Sequence, residues 1–299
     1  MPDEAVGRGV SFLQESHNGD GGWGYHASEH SVVEATACAL LALQASAQES
    51  SLCQSGLAWL LAAQNPDGGW GVAEDDRQSG WQTAWAILAL AGAAAAGQAL
   101  EKAAIWLAGD APVRGSPPDP ADPQQAIVRI DLSITGWPWL PKQSSWVEPT
   151  ALAILASTAL SRRAKAASAQ ANLQARVAEA VRYLQDRRCE HGGWNFGNPY
   201  MFIALPARAE PTGLAILALA STSAETVQSE DLAALRRETK ADGGPLALAL
   251  AVLALKAMGE TAADELSLLL SLQQTDGSWS GNCYHTALAL LAIGGGLSL

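Results

Sequence analysis

Positive charge is scarce in this 299-residue chain. Lys and Arg total 18 against 30 Asp and Glu, a formal net charge of −12, and no basic cluster departs from that balance. Such a surface repels polyphosphate and anionic lipid, which argues against nucleic acid and acidic membranes as partners. Long apolar runs are missing as well. Stretches such as 84–96 reach about 13 residues, too short to cross a bilayer and typical of a buried core helix. The opening residues, MPDEAVGRGVSFLQES, hold no extended apolar segment and do not read as a signal peptide. Four cysteines, Cys38, Cys53, Cys189 and Cys283, are scattered without a paired spacing. Without an export signal, the expectation is reduced thiols in a cytoplasmic protein. A glycine-rich phosphate loop, a Gly-x-Ser-x-Gly elbow and an HExxH pair are all absent from the sequence, and with them the chemistry those motifs carry.

What the chain has in quantity is repetition. Residues 136–157 read GWPWLPKQSSWVEPTALAILAS: a Gly/Trp turn, a Glu-x-Thr step and a run of small apolar residues. Near-copies lie at 21–43 (GGWGYHASEHSVVEATACALLAL), 68–90 (GGWGVAEDDRQSGWQTAWAILAL), 192–219 and 277–293. A sixth, at 242–255 (DGGPLALALAVLAL), has lost its Trp and its Glu. A unit of about 40–50 residues repeated end to end marks stacked helical hairpins. The composition does not change abruptly along the chain, so residues 1–299 read as one domain.

Each unit holds two kinds of helix. One is amphipathic and charged, at 55–64, 100–108, 175–186 and 264–273, with apolar residues at helical spacing such as Val177, Val181 and Leu184. The other is apolar all round, at 35–43, 84–91, 151–156, 213–220, 246–255 and 287–293, and must be buried on every side. The simplest solution is an all-α (α/α)6 toroid of about twelve helices: six parallel apolar helices around a central space, inside six amphipathic ones. Asn65-Pro66-Asp67-Gly68-Gly69 and Thr275-Asp276-Gly277 read as turns with positive φ at glycine. The segment 109–124 carries five prolines and reads as an irregular loop over one end of the barrel. Residues 161–170 read as a surface helix or connector.

The pattern Gln64-Asn65-Pro66-Asp67-Gly68-Gly69-Trp70-Gly71, followed by Gln82-Thr83-Ala84-Trp85, resembles the QW repeat of the squalene–hopene cyclase and protein prenyltransferase superfamily. Gln274 through Trp279 and Gln14 through Trp23 are looser versions. The resemblance covers most of the chain. It implies an (α/α)6 toroid with a lumen suited to isoprenoid chains, and Gln and Trp residues that brace loops between helices. The chain departs from the family in two ways. It is about half the length of the two-domain triterpene cyclases and lacks their Asp-x-Asp-Asp-Thr-Ala acid motif. Nor does it carry the spaced zinc ligands of a prenyltransferase β subunit.

The Glu-x-Thr steps Glu34-Ala35-Thr36, Glu148-Pro149-Thr150 and Glu210-Pro211-Thr212 are the first candidate chemistry, with Trp81 and Tyr284 in the Glu place of two other repeats. Pro149 and Pro211 suit the first turn of a helix, which puts Glu148 and Glu210 at the N-cap or just before it. Parallel inner helices would gather these carboxylates at one end of the barrel. In the resembled cyclases the proton-donating aspartate lies two residues before the matching Thr, the offset of Glu148 and Glu210. The alternative is that each Glu closes its own loop by accepting backbone hydrogen bonds. Aromatic residues, which stabilise carbocations through their faces, cluster ahead of these steps, among them Trp146, with Trp139 and Phe202 the better lumen candidates. Cys283 and His285 make half of a zinc set, and a site needs three or four ligands. Glu74-Asp75-Asp76 and Asp119/Asp122 read as solvated acidic loops.

The sequence therefore points to a cyclase-like protein that closes rings in an isoprenoid by protonation, with Glu148, Glu210 and Glu34 as candidate acids. Trp139, Trp146, Phe202, Trp81 and Tyr284 would line the ligand, an apolar small molecule, and no metal or cofactor is called for. The alternatives are a non-catalytic lipid- or protein-binding toroid and a prenyltransferase-like subunit. Peripheral contact with a membrane and the oligomeric state are left open.

Overall fold

The computed structural model describes residues 2–46, 51–119, 121, 127–163, 167–294 and 296. Among them are twelve α-helices: α1 (Pro2–Glu15), α2 (Val33–Ala45), α3 (Ser51–Ala62), α4 (Gln82–Leu90), α5 (Gly97–Gly109), α6 (Val147–Ser161), α7 (Ala167–Asp186), α8 (Ala209–Thr222), α9 (Ser229–Asp242), α10 (Pro245–Ala257), α11 (Ala263–Ser271) and α12 (Cys283–Gly294). The even-numbered helices form the inner ring. Each packs on the next, and α12 packs back on α2, so the ring closes. The odd-numbered helices lie outside it, α3 on α2, α5 on α4 and so on round to α1 on α12. This is the expected toroid. Its two outer helices not located in the sequence reading are α1 and α9.

The two kinds of helix differ as their sequences require. In α10, PLALALAVLALKA, every residue from Ala247 to Leu255 is buried. Alternating Ala lets neighbouring helices approach, and at Gly213 of α8 even an added Cβ would lie 3.0 Å from the Leu250 Cβ. The outer α9, SEDLAALRRETKAD, buries only Asp231, Ala234, Leu235 and Thr239. Gln228 and Asp231 close its N-terminus in a capping box, and Gly243 ends it at φ 67°.

The loops entering the inner ring share one latch. The backbone N–H of Trp23, Trp70, Trp137, Trp194 and Trp279 donates to Oγ1 of Thr36, Thr83, Thr150, Thr212 and Thr286, at 2.9, 2.9, 2.8, 2.9 and 3.0 Å. Each indole N–H donates to a carbonyl at the end of an outer helix: Leu13, Leu60, Leu107, Leu184 and Leu269. All five tryptophans are buried to 2% exposure or less. They are structural, because each satisfies two donors that would otherwise be orphaned in the core.

Glutamine does the bracing expected of it, with a shift of register. The Gln64 amide donates to Gly68 and Ala99 carbonyls. Its counterpart is Gln273, not Gln274, donating to Ala5 and Gly277. At the first repeat the same place belongs to His17, which meets Ser55 at 3.0 Å, rather than to Gln14. The turn glycines Gly68 and Gly277 sit at φ 97° and 88°, as expected. There a Cβ would fall 2.6 Å from the Lys102 carbonyl or 2.3 Å from that of Arg8.

The only strands among the described residues are two short hairpins, β1 (Trp137–Pro138) with β2 (Ser145–Trp146) and β3 (Tyr200–Met201) with β4 (Ile203–Ala204). The proline-rich stretch after α5 has no regular structure over 111–119. It runs beside the following loop, with Val113 N–H on the Gln143 carbonyl and Gly115 N–H on that of Leu132. Asp122, and residues 164–166 of the expected surface segment, lie outside the described residues. Among those described, no helix is long and apolar enough to cross a membrane.

Candidate functional site

The latch also fixes what stands two residues before each threonine. That place holds Glu34, Glu148, Glu210 and Tyr284 as the second residue of α2, α6, α8 and α12, and Trp81 immediately before α4. The expectation that Glu148 and Glu210 are N-caps is corrected: the caps are Trp146 and Arg208 in extended conformation. The helices start earlier because Pro149 and Pro211 are tolerated anywhere in the first turn, where no N–H finds an intrahelical partner. Neither Glu turns back to close its loop. Among the described residues, neither carboxylate accepts a hydrogen bond.

Glu34 is the best enclosed of the three, 7% exposed. Burial pushes its pKa up to about 7, against the Tyr25 hydroxyl, which donates to Oε2, and the nearby Trp85 indole. The Trp85 N–H is buried and lacks a partner in full hydrogen-bond geometry, yet stands close enough to favour the charged carboxylate. Glu148 also rises to about 7, first by burial and then by the charges of Glu210 and Glu34. Glu148 on α6 is thus near enough to the carboxylates of α8 and α2 to feel their charge. Glu210 is raised by burial and by Asp242, at the end of α9. Helix N-termini favour the ionised form, so these upward shifts are made against the helix dipoles.

Aromatic rings surround this end of the ring. Tyr284 meets Tyr25 at 6.5 Å and Trp85 at 6.0 Å between centroids, both edge to face. Trp81 meets Trp139 at 5.1 Å in the same geometry. Tyr284 is half-buried. Its pKa is driven up by burial, then by Glu34, Cys38 and Glu148 among its neighbours.

Two aromatic candidates are not brought here. Phe202, at φ 61° on the turn between β3 and β4, is 68% exposed, because that left-handed turn points it away from the chain's packed face. Trp146 is 38% exposed and lines a separate cavity with Val113 and Tyr183. As the N-cap in extended backbone, it points opposite to Val147, which is buried.

Cys283 is buried and its thiol is raised to about 11 by burial, against the pull of the nearby Ser16. His285 is lowered by burial and by His26. Among the described residues no three groups are placed to hold a metal ion. Asp76 caps its own loop, accepting from Val72 and Gln78 N–H, and Glu74 and Asp75 are exposed.

Sequence reasoning missed Tyr25, Trp85 and Asp110. Trp85 carried a signal, a single large ring in the small-residue helix QTAWAILAL. Asp110 follows α5, and burial raises it to about 6 against the pull of Arg176. Its unpartnered Oδ1 belongs to a residue lining a space of about 10 Å³ beside Trp81 and Pro149, room for no more than one water.

The comparisons agree with this architecture. Residues 1–121 match the family described as squalene-hopene cyclase C-terminal domain. The type II terpene cyclase MstE from Scytonema superposes with TM-score 0.65 at 16% identity, covering 98% of this chain and 97% of that one. A single-residue variant of the same cyclase has been solved in complex with merosterolic acid A, the product. An alpha-amylase from Clostridium perfringens superposes with TM-score 0.67 at 10% identity, covering 98% and 97%. No curated protein matches the sequence. The sequence likeness to the squalene-hopene cyclase C-terminal domain is confined to residues 1–121, and the fold likeness to MstE spans 98% of the chain. Fold likeness at these identities carries no reaction, as the amylase makes plain.

Proposed function

We propose that this protein is a type II terpene-cyclase-like enzyme that closes rings in an isoprenoid by protonating a carbon–carbon double bond. The observation that carries the proposal is the Glu148 carboxyl. It accepts no hydrogen bond among the described residues, faces the charges of Glu34 and Glu210, and stays protonated up to about pH 7. A proton donor needs a carboxyl kept neutral by burial or by neighbouring carboxylates.

In this reading Glu148 gives its proton to an alkene. A C–H bond forms, and the lost π pair leaves a carbocation. The next double bond attacks it and closes a ring. The last cation loses a proton to a carboxylate, Glu34 or Glu210, and that proton passes back to Glu148, so the acid is restored and the product is an isomer of the substrate. The negative charge left on Glu148 and the ring faces of Tyr284, Trp85, Trp81 and Trp139 stabilise the cation on its way. Tyr25 is a positioning residue, holding the Glu34 carboxyl through its hydroxyl. Glutamate in place of the aspartate of the larger cyclases sets the proton one methylene further from the helix.

The test is incubation of the purified protein with squalene, farnesyl and geranylgeranyl substrates, with cyclised products read by gas chromatography–mass spectrometry. A product that disappears in Glu148→Gln is the expected result. Turnover that survives both Glu148→Gln and Glu210→Gln would sink the assignment. No product from any polyene, with lipid extracted from the purified protein, would leave a binding toroid.

A further inference from the structure

One surface of the ring differs in charge from the rest of the chain. Residues 111–118, 127–130, 132–147 and 191–209 contain no Asp or Glu, yet hold Arg114, Arg129, Lys142 and Arg208, in a chain of net charge −12. Backbone hydrogen bonds tie these stretches together: Val113 N–H to the Gln143 carbonyl, Gly115 to Leu132, Val147 to Phe196 and Phe202 to Ile127. We propose that this surface docks on a phospholipid membrane.

The same stretches carry most of the exposed apolar side chains. Eleven large ones stand exposed among the described residues, and seven of them are here. Three are consecutive at the turn between β3 and β4: Met201, Phe202 and Ile203, at 46%, 68% and 67% exposure. The other four are Val113, Leu132, Trp146 and Phe196. Exposed apolar residues scattered singly need no explanation, but a gathering of them on linked loops marks an interaction site.

The cations say what covers it. Arg114 is spent on Glu179. Arg129 lies over the Tyr200 ring, 3.9 Å from its centroid. It, Lys142 and Arg208 are exposed, and none of the three is in an ion pair among the described residues. Of the bordering acids, Asp131 accepts from Ser133 and Asp119 from the Ala121 N–H, and Glu190 lines a separate cavity with Arg237. Apolar side chains that enter the head-group layer, with arginine and lysine at its phosphates, hold a protein on a bilayer. Tryptophan and tyrosine favour the same depth. A packed protein interface instead gathers its apolar side chains at the centre and is poor in lysine. The net charge of the whole chain argues against acidic membranes, but acids more than about 8–10 Å from the contact are screened at physiological salt. The local charge then governs.

The test is sedimentation of the purified protein with vesicles of phosphatidylcholine alone and of equimolar phosphatidylcholine and phosphatidylglycerol. Binding to the mixed vesicles is expected, at least about tenfold tighter than to the neutral ones. Phe202→Ser with Ile203→Ser should weaken it at least about tenfold. Arg129→Gln with Lys142→Gln should weaken binding to the mixed vesicles about tenfold and leave the neutral ones unaffected. Ile105→Ser with Leu268→Ser, at 65% and 50% exposure on α5 and α11, should bind as the parent does. Circular dichroism checks that each pair keeps its fold. No binding to either vesicle would overturn the proposal, as would binding that survives Phe202→Ser with Ile203→Ser, or an equal loss in the Ile105 and Leu268 pair. A dimer in solution that Phe202→Ser with Ile203→Ser dissociates would give the surface to a second copy of the chain and overturn it too. Equal affinity for the two vesicles would overturn the role of the cations.

Discussion

The repeats at 68–90 and 136–157 are built alike and end differently. In both, a Trp N–H reaches a Thr thirteen residues on, at 2.9 and 2.8 Å, and the indole reaches the carbonyl of Leu60 or Leu107 at 2.7 and 3.0 Å. Two residues before the Thr, however, one repeat has Trp81 and the other Glu148. Trp81 packs edge-on against Trp139, while Glu148 meets the charges of Glu34 and Glu210. The difference separates two demands on one loop. The latch is fixed by the penalty for orphaned buried donors, which is the same in every repeat. The side chain just before it is no part of the latch, so the repeats are free to differ there: Glu34, Glu148 and Glu210 stand on α2, α6 and α8, Trp81 before α4 and Tyr284 on α12.

That comparison can be broken at either half. Trp70→Ala and Trp137→Ala should each cost about 3–5 kcal/mol of stability by denaturant unfolding. A large inequality between them would show that the two latches are not equivalent. Next in size, Glu148→Gln should lower turnover at least about 100-fold, the scale of a lost acid, and Trp81→Phe by far less.

The same substitution has a pH signature in stability. The folded pKa of Glu148 is raised from 4.5 to about 7, so the folded state binds its proton more tightly than the unfolded chain does. That contribution is complete below about pH 4.5 and is lost as pH rises through about 7. Glu148→Gln should therefore flatten the decline between those values and, at pH 8, leave the protein more stable than the parent by on the order of 1–3 kcal/mol. Turnover of the parent should fall as pH rises through about 7.

Thr83→Val and Thr150→Val, each stranding one Trp N–H, should cost about 1–3 kcal/mol, measured as a fall in denaturation midpoint. Smallest of all, Phe202→Ser should change stability by less than about 0.5 kcal/mol and leave turnover as it was. A large loss there would return Phe202 to the ligand site.

Much of this was written in the chain. The apolar helices at 246–255 and 84–91 could only be interior, and the glycines at 68 and 277 could only be turns. The Glu-x-Thr steps were visible, but Tyr25 was not, because nothing in GGWGYH ties its hydroxyl to Glu34. Asp110 was hidden by the prolines after it, which made the whole segment read as loop. Phe202 and Trp146 misled because an aromatic residue near a motif has no direction until its backbone is known. A left-handed turn in one case and an extended N-cap in the other sent the ring outward.

By itself the sequence determined the toroid, since helical periodicity, turn glycines and the repeat length are local properties that neighbours along the chain impose on one another. Whether Glu34, Glu148 and Glu210 act on one another was decided only by closing the ring. Electrostatic repulsion and burial depend on distance through space, and α2, α6 and α8 come into register at one end only when all six inner helices are packed side by side.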